Sequence, residues 1–514
     1  MAGSPPAHGG LPLLAAVVLL ATACGGGGGG PATFDLAHQR PAFTVLGGQT
    51  NDGLGPIASG DVNGDGHVDL IIAAPTADGP DDSRPDAGEA YVILGPRHGD
   101  TLDLSRDKPD VTIFGATSGD YLGFAVGAAD VNGDGFADIL LGAPLADGPD
   151  DQRPDTGEAY VIFGGPVVAP ALDLAQGAPG LTVFGAGPDD RLGASLASGD
   201  SNGDGFADVI LGSFLADGPD DARYQAGEAY LLFGSPRLSG ERDMGQGGYD
   251  LAIVAADADD QLGHYLAMGD LDGDHLDDLV VSAFRADGPG NERDDAGEVY
   301  AFLHAAELKG VVDLAMSRPD LTVYGAKAFD EFGAAVAAAD LNGDGLADLV
   351  VGAPRAGDEV DPGQAYVFFG GPGLTGPRDV AQAQQDVTLQ GIDSGDRFGA
   401  TLAAGDLDGD GRAEAITGAE RGDGPGDRRQ DGGEAYVVPG TATLPATLDM
   451  ARRAYGAIVF GKGSGDMLGA SLAAADWDGD GRLDLLLGAP LADGPDDRSD
   501  CGAAYVIRGP SLLK

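Results

Sequence analysis

Hydrophobic positions along this chain fall in short runs rich in Val, Ile, Leu, Tyr and Phe, separated by turns of Gly, Asp and Pro, and the same order of runs returns about every 70 residues. In the second copy, residues 110–115 (DVTIFG), 124–129, 138–144 (DILLGAP) and 157–164 (GEAYVIFG) each predict a strand. A turn at 119–123 (GDYLG) and a polar loop at 147–151 (DGPDD) punctuate them, and no segment of the repeat sustains a helical period. Four short strands per unit, repeated radially, predict an all-β fold of propeller blades. The run before each acidic loop is made of small residues, as in 194–198 (ASLAS), which suits the crowded innermost strand.

Three markers fix the number of units. A nine-residue acidic loop begins at Asp61, Asp130, Asp200, Asp270, Asp340, Asp406 and Asp476, with spacings of 69, 70, 70, 70, 66 and 70. A turn aspartate recurs at Asp52, Asp120, Asp190, Asp260, Asp330, Asp396 and Asp466, and an Asp before Leu, Met or Val at Asp35, Asp103, Asp173, Asp243, Asp313, Asp379 and Asp449. Seven blades over residues 34–510 follow. The segment 43–47 (FTVLG) reads as a fourth strand and 503–507 (AAYVI) as a third. The N-terminal strand is therefore expected to complete the last blade and close the ring without a free edge; the alternative is an open stack of hairpins.

The acidic loop places side-chain oxygens at positions 1, 3, 5 and 9 and a backbone carbonyl at position 7, the donor set of a hard cation that takes six to eight oxygens. In chain order the sets are Asp61, Asn63, Asp65 and Asp69 with the carbonyl of His67; Asp130, Asn132, Asp134 and Asp138 with Phe136; Asp200, Asn202, Asp204 and Asp208 with Phe206; and Asp270, Asp272, Asp274 and Asp278 with Leu276. They continue with Asp340, Asn342, Asp344 and Asp348 with Leu346; Asp406, Asp408, Asp410 and Glu414 with Arg412; and Asp476, Asp478, Asp480 and Asp484 with Arg482. Up to seven Ca²⁺ ions are expected, each rigidifying a hairpin. An EF-hand is excluded, because position 12 (Ile72, Leu141, Leu211, Val281, Val351, Thr417, Leu487) is never the bidentate Glu and the flanks are strands. Zinc is disfavoured because no Cys or His is arrayed as a ligand set. Magnesium prefers a stiffer octahedron, and metal-free Asn-Gly and Asp-Gly hairpin turns are the plain alternative. His275, where other loops have Gly66, Gly135 or Gly205, marks the fourth site as the weakest, and Glu414 gives the sixth a longer arm.

Charge and composition narrow the partners. A net charge of -54 argues against nucleic acid or an anionic membrane surface, while 43% hydrophobic residues exclude a disordered chain. Two cysteines cannot form a disulfide framework. An apolar run at 11–20 ends in Ala21-Thr22-Ala23-Cys24 and six glycines, so residues 1–23 read as a signal peptide and 24–33 as a Gly-rich linker. The tetrapeptide resembles a bacterial lipobox, which implies lipidation of Cys24 and an outer-membrane or cell-surface lipoprotein; secreted or periplasmic export is the alternative. Cys501 stands where other repeats have Ala87, Thr156 or Ala226 and reads as a buried small residue.

Phe-Gly at 114–115, 184–185 and 460–461, Gly-Ala-Pro at 142–144, 352–354 and 488–490, and the acidic loop between them resemble the FG-GAP repeats of integrin α-subunit N-terminal domains. The resemblance implies a seven-bladed propeller with calcium in hairpin loops on one face. Some copies depart from it, with Ala255-Ala256 and Gly212-Ser213-Phe214, and all seven loops keep ligands, more than is typical of integrin subunits. Without leg domains or a membrane span, an integrin subunit itself is not expected. Similar repeats occur in a secreted phospholipase D, in lectins and in bacterial surface proteins. The expected function is a monomeric, non-catalytic binding or adhesion module for a protein or glycan. A hydrolase-associated propeller and a lectin are the alternatives, although the single Trp477 argues against stacking sites. The histidines at 38, 67, 98, 264, 275 and 304 form no motif; His264 beside Tyr265 replaces Ala194 or Ala334, which reads as packing. The loops at 78–82, 147–151, 217–221 and 493–497 form an acidic rim, either solvated or able to hold cations, a basic protein or a glycan. The Arg421-Gly422-Asp423 tripeptide merely aligns Asp423 with Asp147.

Overall fold

The computed structural model describes residues 31–97, 100–177, 180–219, 222–357 and 362–513. The expected signal peptide, Cys24 and most of the linker lie outside these residues, as do His98 and residues 220–221 of the third polar loop. Seven sheets of five strands make up the fold. The second blade runs outward through Val126–Ala129, Asp138–Ala143, Glu158–Ile162 and Leu181–Phe184, all antiparallel. The innermost strands touch one another around a full circle, so the fold is a seven-bladed β-propeller.

The expected closure is present. Phe43–Leu46 pairs antiparallel with Ala503–Ile507, Phe43 opposite Val506 and Leu46 opposite Ala503. The expected four strands per blade become five. Between its third and fourth strands the chain crosses to the preceding blade and adds a parallel edge strand there: Gly240–Asp243 lies along Leu181–Phe184, and Ala32–Asp35 along Ala457–Phe460. These added strands end on the Asp marker at 35, 103, 173, 243, 313, 379 and 449. Their pairing partner lies four strands back in sequence, and two to four residues carry too little alternation to announce a strand.

The core is seven layers between neighbouring sheets. In Glu158–Ile162, Ala159 and Val161 pack toward the third blade with Tyr230 and Leu232, while Tyr160 and Ile162 pack toward the first with Ala90 and Val92. Both faces of every middle strand are covered, which is why these runs read as continuously apolar rather than alternating. The hairpins joining the first and second strands lie on one face of the disc. The polar loops joining the second and third, and the turns leading into each inner strand, lie on the other.

Candidate metal loops and the opposite face

Each acidic loop is wound around its first carboxylate. In the first, Asp61 Oδ1 accepts the N–H of Gly64 at 2.7 Å and of Asp65 at 3.2 Å, and Oδ2 accepts that of Gly66 at 2.9 Å. Asn63 Oδ1 accepts Asp65 N, and Asp65 Oδ1 accepts His67 N. The position-nine carboxylate is the buried floor: Asp69, Asp138, Asp208, Asp278, Asp348, Glu414 and Asp484 all have almost no exposure. Asp69 accepts Val62 N at 3.0 Å and Gly95 N at 2.9 Å. Glu414 reaches the same place, accepting Leu407 N at 2.7 Å. Burial pushes these carboxyls up, with the neighbouring loop aspartates adding to it: Asp69, Asp138, Asp208, Asp348 and Asp484 to about 6, Glu414 to about 7 and Asp278 to about 8.

The donor chemistry fits a divalent cation. Carboxylate oxygens of Asp270, Asp272 and Asp278, of Asp406, Asp408 and Glu414, and of Asp476, Asp478 and Asp480 converge within 4.8 Å. Asp278 Oδ1 and Asp484 Oδ2 are buried without a hydrogen-bond partner, an arrangement a bound cation would satisfy. His275 does adopt the left-handed backbone that glycine takes elsewhere, at φ 71°, and keeps its N–H on Asp270 Oδ2 at 3.0 Å.

Neighbouring loops are linked in a ring. The side chain at position 7 lies on the position-4 glycine of the preceding blade: a Cβ on Gly64 would sit 2.3 Å from the Phe136 ring, one on Gly133 2.1 Å from Phe206, and one on Gly273 2.8 Å from Leu346. Position 8 adds a backbone bond, Ala137 N to Asp61 O at 2.9 Å and Ala347 N to Asp270 O at 2.8 Å. Position 7 therefore serves two loops, its backbone belonging to its own and its side chain lying against the preceding one.

On the opposite face the turn aspartates are buried and cap their own turns: Asp120 accepts Thr117 N at 3.0 Å and Asp466 accepts Gly463 N at 2.7 Å. In six blades the first Asp of the polar loop staples that loop, Asp147 accepting Asp155 N at 3.0 Å and Asp423 accepting Asp431 N at 3.0 Å. The aspartate of the Arg-Gly-Asp tripeptide is thus committed to its own backbone. Six of these loops also carry an arginine that the markers did not reveal. Arg153 forks onto Asp243 at 2.9 and 2.8 Å and donates to the Gly185 carbonyl at 2.6 Å. Arg84–Asp173, Arg223–Asp313, Arg293–Asp379, Arg429–Asp35 and Arg498–Asp103 repeat the pair. Cys501 is a free, fully buried thiol, as its repeat position implied.

Sevenfold repetition breaks where blades three to six meet the axis. The fourth inner strand is longer, Leu262–Gly269, and slips register between Leu262 and Leu266. The slip sets His264 against Phe214, Tyr265 and Phe284, with ring centroids 4.5, 4.5 and 4.6 Å away. Arg285 lies 5.6 Å over Phe284. Burial lowers His264 to about 4, and its Nδ1 is enclosed without a partner. Burial raises Tyr265 to about 12, and Glu420, Arg397 and Glu331 of the fifth and sixth blades act on it electrostatically. Those groups form their own network, Glu331 with Arg355 at 3.3 Å and Arg397 with Glu420 at 2.9 Å.

The FG-GAP repeat family model matches residues 57–93, 122–162, 332–368, 398–438 and 468–507. Five of the seven blades carry FG-GAP repeats. The chain is 27% identical over 385 residues to a mouse phosphatidylinositol-glycan-specific phospholipase D, covering 71% of this chain and 42% of that protein. It is 31% identical over 180 residues to the Drosophila melanogaster integrin alpha-PS2, covering 34% of this chain and 12% of that protein. The chain thus spans under half the length of these curated relatives. A solved exotype rhamnogalacturonan lyase, YesX, aligns over 91% of this chain and 75% of its own with a TM-score of 0.41 and 13% identity. The five matched repeats each contain one acidic loop; the unmatched third and fourth blades are those whose Gly-Ala-Pro element becomes Gly-Ser-Phe and Ser-Ala-Phe. Among the described residues, no helix is long and apolar enough to cross a membrane.

Proposed function

We propose that this chain is a calcium-stabilised, extracytoplasmic propeller that acts as a non-catalytic binding and adhesion module, with its ligand, a protein or a glycan, seated at the axial mouth opposite the acidic loops. The observation that carries this reading is the single break in symmetry there. His264, Phe214, Tyr265 and Phe284 form an aromatic wall facing the Glu331–Arg397–Glu420 network, and repeating scaffold has no need of either. An apolar wall with a few convergent polar groups is the usual make-up of a recognition site. The acidic loops supply rigidity: a site whose calcium stands tenfold above its dissociation constant adds about 1.4 kcal/mol to stability. Export, and anchoring through a lipid on Cys24, belong to the same proposal.

A screen of the calcium-loaded chain against glycans and surface proteins tests it. Retention of a ligand that His264→Ala and Phe284→Ala both abolish, with melting unchanged, supports the reading. EDTA should lower the melting temperature by 10 °C or more, on the order of what losing several such ions implies; an unchanged melt removes the calcium role. The similarity to phosphatidylinositol-glycan-specific phospholipase D favours a second reading, a propeller that accompanies a hydrolase, for which turnover of a phosphodiester by this chain is the decisive sign.

A further inference from the structure

In six blades the chain leaves the third strand through a glycine beneath the acidic loop: Gly95, Gly164, Gly234, Gly370, Gly440 and Gly509. Its N–H donates to the position-nine carboxylate, at 2.9 Å from Gly95 to Asp69, 2.9 Å from Gly164 to Asp138, 2.9 Å from Gly234 to Asp208 and 3.1 Å from Gly509 to Asp484. The approach is too close for a side chain. A Cβ would stand 2.1 Å from the Val68 carbonyl oxygen in the first blade and 2.5 Å from that of Ala137 in the second.

The fourth blade has His304 at this position. Its backbone cannot approach as closely, and the donor to Asp278 is lost. Asp278 is 1% exposed; its Oδ2 keeps the Leu271 N–H at 2.8 Å, and its Oδ1 is left with no hydrogen-bond partner. In exchange an imidazole arrives. His304 Nε2 stands 4.0 Å from Asp272 Oδ2, and one ligand atom each of His304, Asp272 and Asp274 lies within 4.8 Å of the others. Asp272 also belongs to the cluster it forms with Asp270 and Asp278. The seven loops are thus not equivalent: among the described residues, the fourth is where an imidazole joins the carboxylates of a loop in one cluster.

We propose that the fourth loop is a transition-metal site, taking a divalent ion of the zinc class through His304, Asp272 and Asp274, with the orphaned Asp278 carboxylate as the buried anion beside it. Calcium and magnesium take oxygen and gain little from imidazole, whereas zinc and its neighbours bind mixed nitrogen and carboxylate sets and bind them more tightly. The substitution that removes a structural N–H from the loop is the same one that supplies the nitrogen. The zinc disfavoured by the loop motif alone is restored at one blade by a residue outside the motif, 26 positions beyond Asp278.

The test strips the full chain with EDTA, dialyses it against millimolar calcium with micromolar zinc, and counts retained metals by mass spectrometry. The unaltered chain is expected to retain one zinc per molecule. His304→Gly, which restores the pattern of the other blades, should lose it and hold one more calcium. His38→Ala, which removes an exposed imidazole remote from the loops, should change nothing. Asp272→Asn provides a second loss that does not alter the backbone at 304. Cobalt titrated into the unaltered chain should give visible absorption bands that zinc abolishes. Absence of zinc and of the cobalt bands in the unaltered chain overturns the proposal, as does full zinc retention in both His304→Gly and Asp272→Asn.

Discussion

In six of the seven blades a single arginine joins three pieces of chain that are far apart in sequence. Arg223 forks onto Asp313 at 2.8 and 2.5 Å and donates to the Ala255 carbonyl at 2.5 Å, tying the polar loop to the end of the fourth strand and to the added fifth. The same aspartate caps the turn after its strand, accepting Ala315 N at 3.0 Å. The guanidinium holds Asp313 below the usual carboxylate range, and Arg429 holds Asp35 down at about 2. Arg223→Ala should therefore destabilise the chain by about 1.5–3 kcal/mol in urea denaturation, nearer the lower figure because the pair keeps some contact with solvent. Lysine at 223 should recover less than half of that, since it carries the charge without the fork; equal stability of the lysine and arginine forms would contradict the bidentate account. The fifth blade is the internal control. Its loop is four residues shorter and holds no arginine between 356 and 363, and Asp449 pairs instead with the exposed Arg452 at 3.1 Å. The aspartates were visible in the sequence as a periodic marker, but their purpose was not. An ion pair between residues 86 to 90 positions apart leaves no local trace, although the arginine's own recurrence at 84, 153, 223, 293, 429 and 498 would have exposed it.

At the scale of strands and loops, what repeats at constant phase was legible and what crosses between repeats was not. The inner four strands followed from apolar runs bounded by turns, and the closure of Phe43–Leu46 on Ala503–Ile507 followed from the phase of the two ends. The fifth strand, the position-7 contacts and the His304 substitution are all relations between different copies, which a pattern read within one copy does not contain. The loop-to-loop contacts have a measurable consequence. Gly133 and Gly135 both have positive φ, 74° and 89°, but a Cβ on Gly133 meets the Phe206 ring at 2.1 Å while one on Gly135 meets nothing within 4 Å. Gly135→Ala should cost only the backbone strain, about 1 kcal/mol. Gly133→Ala should cost that and also displace Phe206, whose carbonyl belongs to the next loop. Calorimetry should then show weakened metal binding at two sites for Gly133→Ala and at one for Gly135→Ala. The same count for both would mean that the loops are energetically independent.

For the whole molecule the dominant quantity is buried negative charge. On the face opposite the metal loops, turn aspartates lie close to glutamates that begin third strands: Asp52 beside Glu89, Asp120 beside Glu158, Asp260 beside Glu298 and Asp396 beside Glu434. Burial, with repulsion from the partner and other nearby carboxylates, lifts Asp52 to about 6, Asp120 and Asp396 to about 7 and Asp260 to about 8, and Glu89, Glu298 and Glu434 to about 7. The glutamates accept a tyrosine hydroxyl two residues on, Tyr91 to Glu89 at 2.7 Å and Tyr300 to Glu298 at 2.8 Å. The position-nine carboxylates of the acidic loops are raised as well when no cation is bound. A carboxyl whose folded value exceeds its unfolded value of about 4 binds its proton more tightly in the folded chain. Between those two values the folded state holds more protons than the unfolded one, so stability must fall as pH rises. The Asp35 and Asp313 pairs with arginine run the other way, but their effect is confined below about pH 4. In EDTA, then, the melting temperature should be highest near pH 4 and should drop steadily to pH 8, adding to the self-repulsion of a chain of net charge -54. Calcium reverses the sign at the acidic loops alone, because a bound cation favours the ionised ligand and must compete with protons below about pH 6. Saturating calcium should consequently raise the melting temperature far more at pH 8 than at pH 5, leaving a shallower slope set by the Asp–Glu pairs of the opposite face. Two melting profiles, with calcium and with EDTA, check both parts. Parallel profiles would show that the loop carboxylates do not bind the ion, and a melting temperature in EDTA that rises with pH would show that the buried pairs are ionised at no cost to the fold.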